Sequence, residues 1–453
     1  MASIRPPDSP ATIARAYYVI AGIYTLSASL IWGVNTLFLL RTGHLTLFQV
    51  FIADAVFTGS MAVFEVPTGI IADTRGRRFS FLMSVFVLLI GTLAYAIVPI
   101  AGGGILAFCA ASVILGLGYT FYSGAVEAWV VDALNAVGHT DPIDRVMARG
   151  STISSGAMLA GSVLGGILGN VNLALPYVLR CMLLAMAFVI ALGLMHDTGF
   201  TARPLPLRQL PKEMVRVGRE SLRFGWSTQR ARLAILAGAM PGVFLEWGYH
   251  AWQPYFLGLL HSNAVWVLGA VAAAIAVAMM IGNSLVERMT RYCGRRTTLL
   301  LGAAVVYSAT AIGVGLARSF WLAVALYLVG MMAAGVFQPV RQAYLHLVVA
   351  KEQRATVLSL ASLVASAGST MGQAGLGWIA SRSSLANGYV VGGAITVIAL
   401  PILLVMRRVG GGPDRIVGQA GRYSVCTTLA LPEGVSVAAE RDVYPGSIIT
   451  SST

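Results

Sequence analysis

Long runs of apolar residues alternate with short polar segments along most of the chain. A helix needs about 20 apolar residues to cross the hydrocarbon core of a bilayer, and these runs are close to that length or longer. Because the runs do not alternate between apolar and polar positions, they predict helices rather than strands. The pattern predicts an all-α membrane protein with twelve spans, at residues 16–40, 46–72, 79–100, 104–134, 147–170, 174–196, 233–259, 264–287, 297–317, 320–348, 355–380 and 387–406.

The basic residues are concentrated in alternate loops. If the N-terminus is cytoplasmic, the loops on its side hold most of the Lys and Arg residues, whereas the opposite loops hold Arg41, Arg318 and Arg382. Lys and Arg accumulate in cytoplasmic loops, so this asymmetry supports the span assignment and predicts that both termini are cytoplasmic. The first run is longer than the hydrophobic region of a signal peptide, and we expect it to be the first span.

Composition agrees with a membrane protein, since 57% of the residues are hydrophobic and only 11% are charged, against about 25% charged in soluble domains. The net charge of +13 could indicate a nucleic-acid partner, but the position of the cations in loops explains it better. The sequence contains no G-x-x-x-x-G-K-[ST], H-E-x-x-H or G-x-S-x-G motif. We therefore expect neither an ATPase nor another enzyme, and no metal or cofactor.

Residues 69–78 read G-I-I-A-D-T-R-G-R-R and join the second and third predicted spans. Cations cannot enter hydrocarbon, so the arginines fix this end of both spans in the headgroup region. The segment resembles the G-x-x-x-D-[RK]-x-G-R-[RK] loop of the major facilitator superfamily. The matching residues are Gly69, Asp73, Gly76, Arg77 and Arg78. Thr74 departs from the pattern, and Arg75 carries the cation one residue later.

This resemblance implies two pseudo-symmetric six-helix bundles. Residues 282–296 repeat the order of an acid, Gly-Arg-Arg and an apolar run, which favours an internal repeat. We expect one bundle at 16–197 and the other at 233–407, with a cytoplasmic segment at 1–15. A basic cytoplasmic linker would occupy 198–232, and a cytoplasmic tail at 408–453 is expected to be disordered.

The resemblance also implies a gate at the arginine loop. In the family, an acid at the end of the fourth span joins an ion-pair network with this loop. Asp132 is the matching residue here, with Arg77 or Arg78 as its partner. The pair would latch the two halves together while the cavity faces outward, and it would separate when the cavity faces inward.

Several acids lie inside predicted spans, where a charge is costly unless it is paired, protonated or in contact with water. Glu246 and His250 are four residues apart and share a helical face, so they form either a site for protons and cationic substrates or a structural pair. Asp54 and Glu65 lie about three turns apart on one face. They would either pass protons along the span or bond polar groups of a neighbouring helix. Glu127 is a further candidate for the cavity.

The resemblance implies that spans 1, 4, 7 and 10 line a central cavity. Candidate residues for substrate contact are Trp32, Asn35, Gln338, Arg341 and Gln342. Trp32 could instead be an aromatic anchor at the membrane interface. Arg341 would either contact an anionic substrate or, as we expect, pair with an acid.

The fifth span carries small residues at close to four-residue intervals, including Gly161, Gly165 and Gly166, which let helices pack closely. It also resembles the family's exporter motif G-x-x-x-G-P-x-x-G-G. Ala157 stands in place of the first Gly, and Ser162 stands in place of the Pro.

The sequence thus predicts a secondary active transporter that resembles the bacterial drug-efflux branch of the superfamily. We expect a monomer in the cytoplasmic membrane that exports an amphipathic small molecule in exchange for protons. The alternative is proton-coupled uptake of a polar metabolite, either a sugar or an organic anion. A cavity rich in aromatics and acids would favour export of cations, and one with unpaired arginines or amides would favour uptake.

Overall fold

The computed structural model describes residues 9–200, 228–349 and 354–416, with isolated positions at 216, 219, 223 and 226. Helices dominate this part of the chain. They are α1 (Pro10–Ser29), α2 (Asn35–Leu37), α3 (Leu47–Arg75), α4 (Arg77–Ile97), α5 (Ile105–Tyr122), α6 (Ala125–Ala136), α7 (Ile143–Val171), α8 (Leu175–Leu194), α9 (Gln229–Leu260), α10 (Val265–Tyr292), α11 (Arg296–Leu316), α12 (Phe320–Val348), α13 (Arg354–Arg382), α14 (Leu385–Thr396) and α15 (Ala399–Val409). A π-helix at Phe38–Thr42 follows α2, and a 3-10 helix at Gly412–Asp414 follows α15.

Each predicted span coincides with one helix or with consecutive short helices. Nine helical stretches among the described residues are long and apolar enough to cross a membrane. The helices of the predicted spans 16–40, 233–259 and 355–380 do not meet that standard. They carry residues such as Glu246, His250 and Ser366, which line a cavity rather than lipid. The number of twelve spans therefore stays a prediction.

Three helical segments are interrupted where the sequence predicts continuous spans, and one of them, 387–406, is divided into α14 and α15 at Val397 and Ile398. α1 ends at Ser29, and regular α-helix resumes only at Asn35. α5 and α6 are separated by Ser123 and Gly124, of which Gly124 has a φ of 68°. A break in a membrane helix frees backbone N–H and C=O groups, and these groups need partners elsewhere in the protein.

The buried hydrophobic residues form separate cores in the two halves of the chain. One core is drawn entirely from residues 13–195, and another from residues 234–406. A third lies within 244–389 but also includes Val34, Leu37 and Phe51 from the first half. The core thus divides at the connection between α8 and α9, and the halves share apolar contacts near the start of α3.

The glycines of α7 lie where their small size matters. A Cβ atom at Gly166 would lie 2.5 Å from Cα of Gly269 in α10, and one at Gly165 would lie 2.7 Å from the carbonyl carbon of Leu30. Gly161 would contact the carbonyl oxygen of Leu26 at 2.8 Å. These contacts agree with the packing role predicted from the spacing.

Two predicted segments are only partly described. Most of the predicted linker, 198–232, and residues 417–453 of the predicted tail lie outside the described residues. The expectation of disorder is wrong for the beginning of the tail. Asp414 is 1% exposed and accepts hydrogen bonds from Thr297, so residues 410–416 are held against the start of α11.

Candidate functional site

A cavity of about 590 Å³ lies between helices of the two halves, within the usual range for small-molecule sites of roughly 300–1,000 Å³. Its aromatic lining consists of Trp32, Phe57, Tyr95, Tyr119 and Tyr249. Its charged or titratable lining includes Asp54, Arg180, Glu246, His250 and Arg341. The cavity therefore combines apolar surface with charges of both signs.

Asp54 of α3 and His250 of α9 meet across this cavity. Oδ2 of Asp54 lies 3.4 Å from Nδ1 of His250, and the two side chains are 4% and 16% exposed. A buried carboxylate and a neighbouring imidazole form an ion pair when the imidazole ring is protonated. This contact joins the two halves of the chain at a group that can gain or lose a proton.

The structure corrects the predicted partner of His250. Glu246 and His250 both line the cavity, as their spacing suggests. However, no hydrogen bond or ion pair joins them in the part of the chain that the structure describes. A four-residue spacing places two side chains on one face, but the nearest partner of His250 comes from α3 and not from its own helix.

Gln253 bonds the interrupted backbone that follows α1. This fully buried side chain donates from Nε2 to the carbonyl oxygen of Trp32 at 2.8 Å and accepts from the backbone N–H of Thr36 at 2.9 Å. The Thr36 hydroxyl donates to the carbonyl oxygen of His250 at 3.0 Å. The polar groups freed by the break are thus satisfied by α9 of the other half.

A further polar contact lies at the same end, where Arg41 donates to Oδ1 of Asn263 at 3.1 Å. We refer to this end of the helices as the Asn263 end, and to the opposite end, where α3 meets α4, as the Arg77 end. Toward the Arg77 end, Glu65 and Gln338 are exposed. The polar connections between the halves described above therefore lie on the Asn263 side of the cavity.

The two arginines of the cavity have no carboxylate partner among the described residues. Arg180 of α8 donates to the hydroxyls of Thr92 and Tyr119, each at 3.1 Å. Arg341 of α12 donates to Oε1 of Gln338 at 3.2 Å and to no other acceptor in the part of the chain that the structure describes. The expected pair between Arg341 and an acid is therefore not formed among the described residues of this structure.

The other cavity predictions divide into residues that line the cavity and residues that do not. Trp32, Asn35 and Gln338 line it, and Oδ1 of Asn35 accepts from the Tyr177 hydroxyl at 2.7 Å. Gln342 is exposed and lies outside the lining, one turn beyond Gln338 along α12.

Two of the predicted acids also lie outside the cavity lining. Glu65 accepts a hydrogen bond from the Ser123 hydroxyl at 3.0 Å, beside the break between α5 and α6. Glu127 is in the first turn of α6, so it follows the break and does not line the cavity. Among the described residues no hydrogen bond or ion pair joins Glu65 to Asp54, and proton transfer between them stays a prediction.

The arginine loop is bonded by neighbouring segments. Nη2 of Arg77 lies 2.8 Å from Oδ1 of Asp73. The backbone N–H of Arg78 donates to Oδ1 of Asp197 at 2.9 Å, and its Nη2 donates to the carbonyl oxygen of Leu192 at 2.8 Å. Asp197 lies directly after α8 and was not recognised in the sequence, where it resembles any polar residue at a helix end.

The predicted latch is not formed in this structure. Within the described ranges, no ion pair joins Asp132 to Arg77 or Arg78, and the contacts that these arginines make are the ones named above. A latch between these residues stays a prediction for a state in which the cavity faces the other side. Gly69 is exposed, and a Cβ atom there would meet nothing within 4 Å, so its role in the gate is also untested.

Gln253 and Tyr119 are further site residues that the sequence did not single out. Gln253 carried a signal that could have been used, namely an amide in an apolar span one turn after His250. Tyr119 resembled an ordinary apolar residue, and its place in the cavity lining and its bond to Arg180 assign it to the site.

Sequence comparison agrees with this architecture. The family model of the Major Facilitator Superfamily matches residues 17–291 and 257–422. The uncharacterized MFS-type transporter YxaM of Bacillus subtilis (strain 168) is 22% identical over 237 residues, which are 51% of this chain. The alignment spans 57% of that relative, so the chain matches little more than half of its length.

The fold is similar to solved structures of transporters. It superposes on the nucleoside transporter NupG with a TM-score of 0.72 at 11% identity, over 87% of this chain and 99% of that one. A POT family transporter in complex with a thioalcohol-conjugated peptide gives 0.70 at 11% identity, over 87% and 96% of the two chains. A D-xylose-proton symporter gives 0.64 at 13% identity, over 89% and 98%. At such identities the likeness concerns the fold.

The long apolar helices and the family match together indicate a multi-pass membrane protein. Because the family model covers well over half of the sequence, the chain belongs to the Major Facilitator Superfamily.

Proposed function

We propose that this protein is a secondary transporter that moves a small amphipathic molecule across the cytoplasmic membrane by alternating access, coupled to protons. The observation that carries the proposal is the buried contact between Asp54 and His250, which joins the two halves beside a cavity of substrate size. A titratable contact at that position can link the protonation state to the opening of the cavity.

The division of the core supports two bundles that move against each other. The polar contacts of Gln253, Arg41 and His250 close the Asn263 end, while Glu65 and Gln338 are exposed toward the Arg77 end. If the arginine loop is cytoplasmic, as the distribution of cations predicts, this is an inward-facing arrangement. The outward-facing state would require the Asn263 contacts to separate.

Coupling follows from the cost of burying an unpaired charge. With a proton on His250, the pair holds opposite charges, and each compensates the other. Loss of that proton leaves the Asp54 carboxylate buried without a counter-charge, which costs several kcal/mol in a low-dielectric site. Separation of the Asn263 end would admit water to the carboxylate. Closure of the Asn263 end is therefore favoured when His250 is protonated.

The direction of transport has two candidate answers. Export by proton antiport follows from the incomplete exporter motif at Gly161, Gly165 and Gly166. Uptake of a polar metabolite such as an organic anion is favoured by Arg180 and Arg341, which have no carboxylate partner among the described residues. Both candidates use the same cavity and the same titratable pair.

The test uses the full chain in proteoliposomes with an imposed pH gradient of either sign. Accumulation of ethidium and of 1-naphthylacetate would be followed for the wild type and for Asp54→Asn. We expect gradient-driven accumulation of one probe by the wild type, and its loss in Asp54→Asn with exchange at equal pH retained. Asp144→Asn is the matched control, because Asp144 is exposed at the start of α7.

A second variant separates the two carboxylates of the cavity. If Glu246→Gln abolishes the response to the pH gradient while Asp54→Asn retains it, Glu246 carries the proton and the proposed role of the Asp54–His250 pair is wrong. If no probe responds to a gradient of either sign in the wild type, proton coupling of these substrates is wrong.

A further inference from the structure

We infer that the cavity binds an organic anion with an apolar body, and that Arg341 receives its negatively charged group. This inference rests on the proposed function only in taking the cavity as the substrate site. It goes further by naming the chemical class of the substrate and the residue that selects it.

The first observation is the incomplete bonding of Arg341. Its Nη2 atom bonds the Gln338 side chain, while Nε and Nη1 are buried and have no hydrogen-bond acceptor among the described residues. A guanidinium stays charged throughout the physiological pH range. A charge in that situation is costly, and an anion placed beside it lowers the cost.

The second observation is the balance of the charges that face the cavity. Asp54 already faces His250, and carboxyl groups as a class can be neutral in proteins, whereas a guanidinium cannot be deprotonated. Arg180 is bonded by hydroxyls and lies over the ring of Tyr119, with Cζ 5.7 Å from the ring centroid. The charges of the cavity that protonation cannot remove are therefore both positive, and they favour an anionic ligand over a cationic one.

The third observation is that α9 makes room for the guanidinium. A Cβ atom at Gly238 would lie 2.6 Å from Cζ of Arg341 and 2.8 Å from its Nε. Real Cβ atoms do not approach other atoms so closely, so only glycine at position 238 lets Arg341 adopt this position. The side chain is thus placed against α9 at the wall of the cavity.

The surroundings of Arg341 specify the rest of the ligand. Ser362 and Ser366 of α13 also line the cavity and offer hydroxyl donors to an anionic group. Phe57, Met61 and Leu115 of the first half supply apolar surface for the body of the ligand. The site therefore fits a small amphipathic acid, with its charged group toward the second half of the chain.

The test measures binding to the purified full chain by calorimetry, with three probes that share one ring system. These probes are 1-naphthylacetate, its neutral amide and 1-naphthylmethylamine. We expect the acid to bind most tightly. Arg341→Gln should weaken binding of the acid roughly tenfold to a hundredfold, as expected for a charge-assisted hydrogen bond, and should leave the amide within about threefold.

Two glycine substitutions, a test and its control, keep the inference testable if the Arg341→Gln variant does not fold. Gly238→Ala should displace the guanidinium and weaken binding of the acid about tenfold or more. Gly258→Ala makes the same change in the same helix, where a Cβ atom would meet nothing within 4 Å, and should have no effect. The inference is wrong if the acid binds no more tightly than the amide and the amine. It is equally wrong if the Arg341 and Gly238 variants keep the wild-type preference.

Binding is measured without a gradient, so it is independent of the transport assay. Arg341-dependent preference for the acid, without gradient-driven movement of any probe, would support this inference and contradict the proposed function. Proton-driven accumulation of ethidium that is unaffected by Arg341→Gln would support the proposed function and contradict the inference.

Discussion

Two loops of this protein carry the sequence Gly-Arg-Arg, and each is bonded by an aspartate from a distant segment. At the start of α4, Oδ1 of Asp197 accepts from the backbone N–H of Arg78 at 2.9 Å. At the start of α11, Oδ1 of Asp414 accepts from the backbone N–H of Thr297, also at 2.9 Å. Both carboxylates therefore satisfy an N–H group that the first turn of a helix leaves free, where the helix dipole also favours an anion.

The two aspartates differ in burial and in the number of their bonds. Asp197 is exposed, whereas Asp414 is 1% exposed and accepts a second bond from the Thr297 hydroxyl at 3.0 Å. Arg296 also donates to the carbonyl oxygens of Pro413 and Arg415, at 2.9 and 2.7 Å. The second loop is thus part of a buried network that includes the beginning of the tail.

The acids that precede the loops also differ. Asp73 and Arg77 lie on opposite sides of the helix break at Gly76, so their ion pair connects α3 to α4. Glu287 and Arg291 form an exposed pair, and both residues belong to α10. We infer that the first loop is the one that rearranges during transport, while the second anchors its half.

The largest effect should come from removing the buried carboxylate. Asp414→Ala leaves two buried donors of Thr297 without an acceptor, at a cost of about 1–3 kcal/mol for each. We expect the free energy of unfolding to fall by roughly 2–6 kcal/mol in Asp414→Ala, and by about 0.5–1.5 kcal/mol in Asp197→Ala. Thermal unfolding in detergent, followed by tryptophan fluorescence, compares the two. Equal shifts of the melting temperature would remove the distinction between the loops.

A smaller effect is expected from the loop glycines. Gly76 has φ 104° and ψ 155°, a conformation that other residues rarely adopt, and a Cβ atom there would lie 2.6 Å from Oδ2 of Asp197. Gly294 has no such restriction, and a Cβ atom there would meet nothing within 4 Å. We expect Gly76→Ala to cost roughly 1–3 kcal/mol and Gly294→Ala to be nearly neutral. The same thermal unfolding experiment measures both variants. A larger drop in melting temperature for Gly294→Ala than for Gly76→Ala would contradict this account.

The smallest effect on stability is expected for the ion pairs. Asp73 is 49% exposed and Glu287 is 78% exposed, and such pairs contribute about 0–1 kcal/mol. Asp73→Asn should therefore leave the melting temperature nearly unchanged, yet slow transport, because it removes the connection between α3 and α4. Glu287→Gln should change neither quantity. Initial rates in proteoliposomes provide the measurement, and a wild-type rate in Asp73→Asn would exclude this pair from the gate.

The comparison also indicates which contacts could be predicted. The arginine loops were visible because their residues are adjacent in the sequence. Asp197 and Asp414 were not, since each bonds a residue more than 100 positions away. The same limit explains the error at His250. A spacing of four residues indicated Glu246, whereas the partner comes from another helix packed against it.

The apolar runs and the cationic loops alone determined that the chain is helical and lies in a membrane, because hydrocarbon excludes charges and unpaired backbone groups. The arginine motif determined the family. Only the tertiary structure decided that Asp54 meets His250, that Gln253 bonds the backbone after α1, and that Arg341 has no carboxylate partner among the described residues. Helical periodicity fixes the face on which a side chain lies, but the packing of helices distant in sequence decides what that face meets.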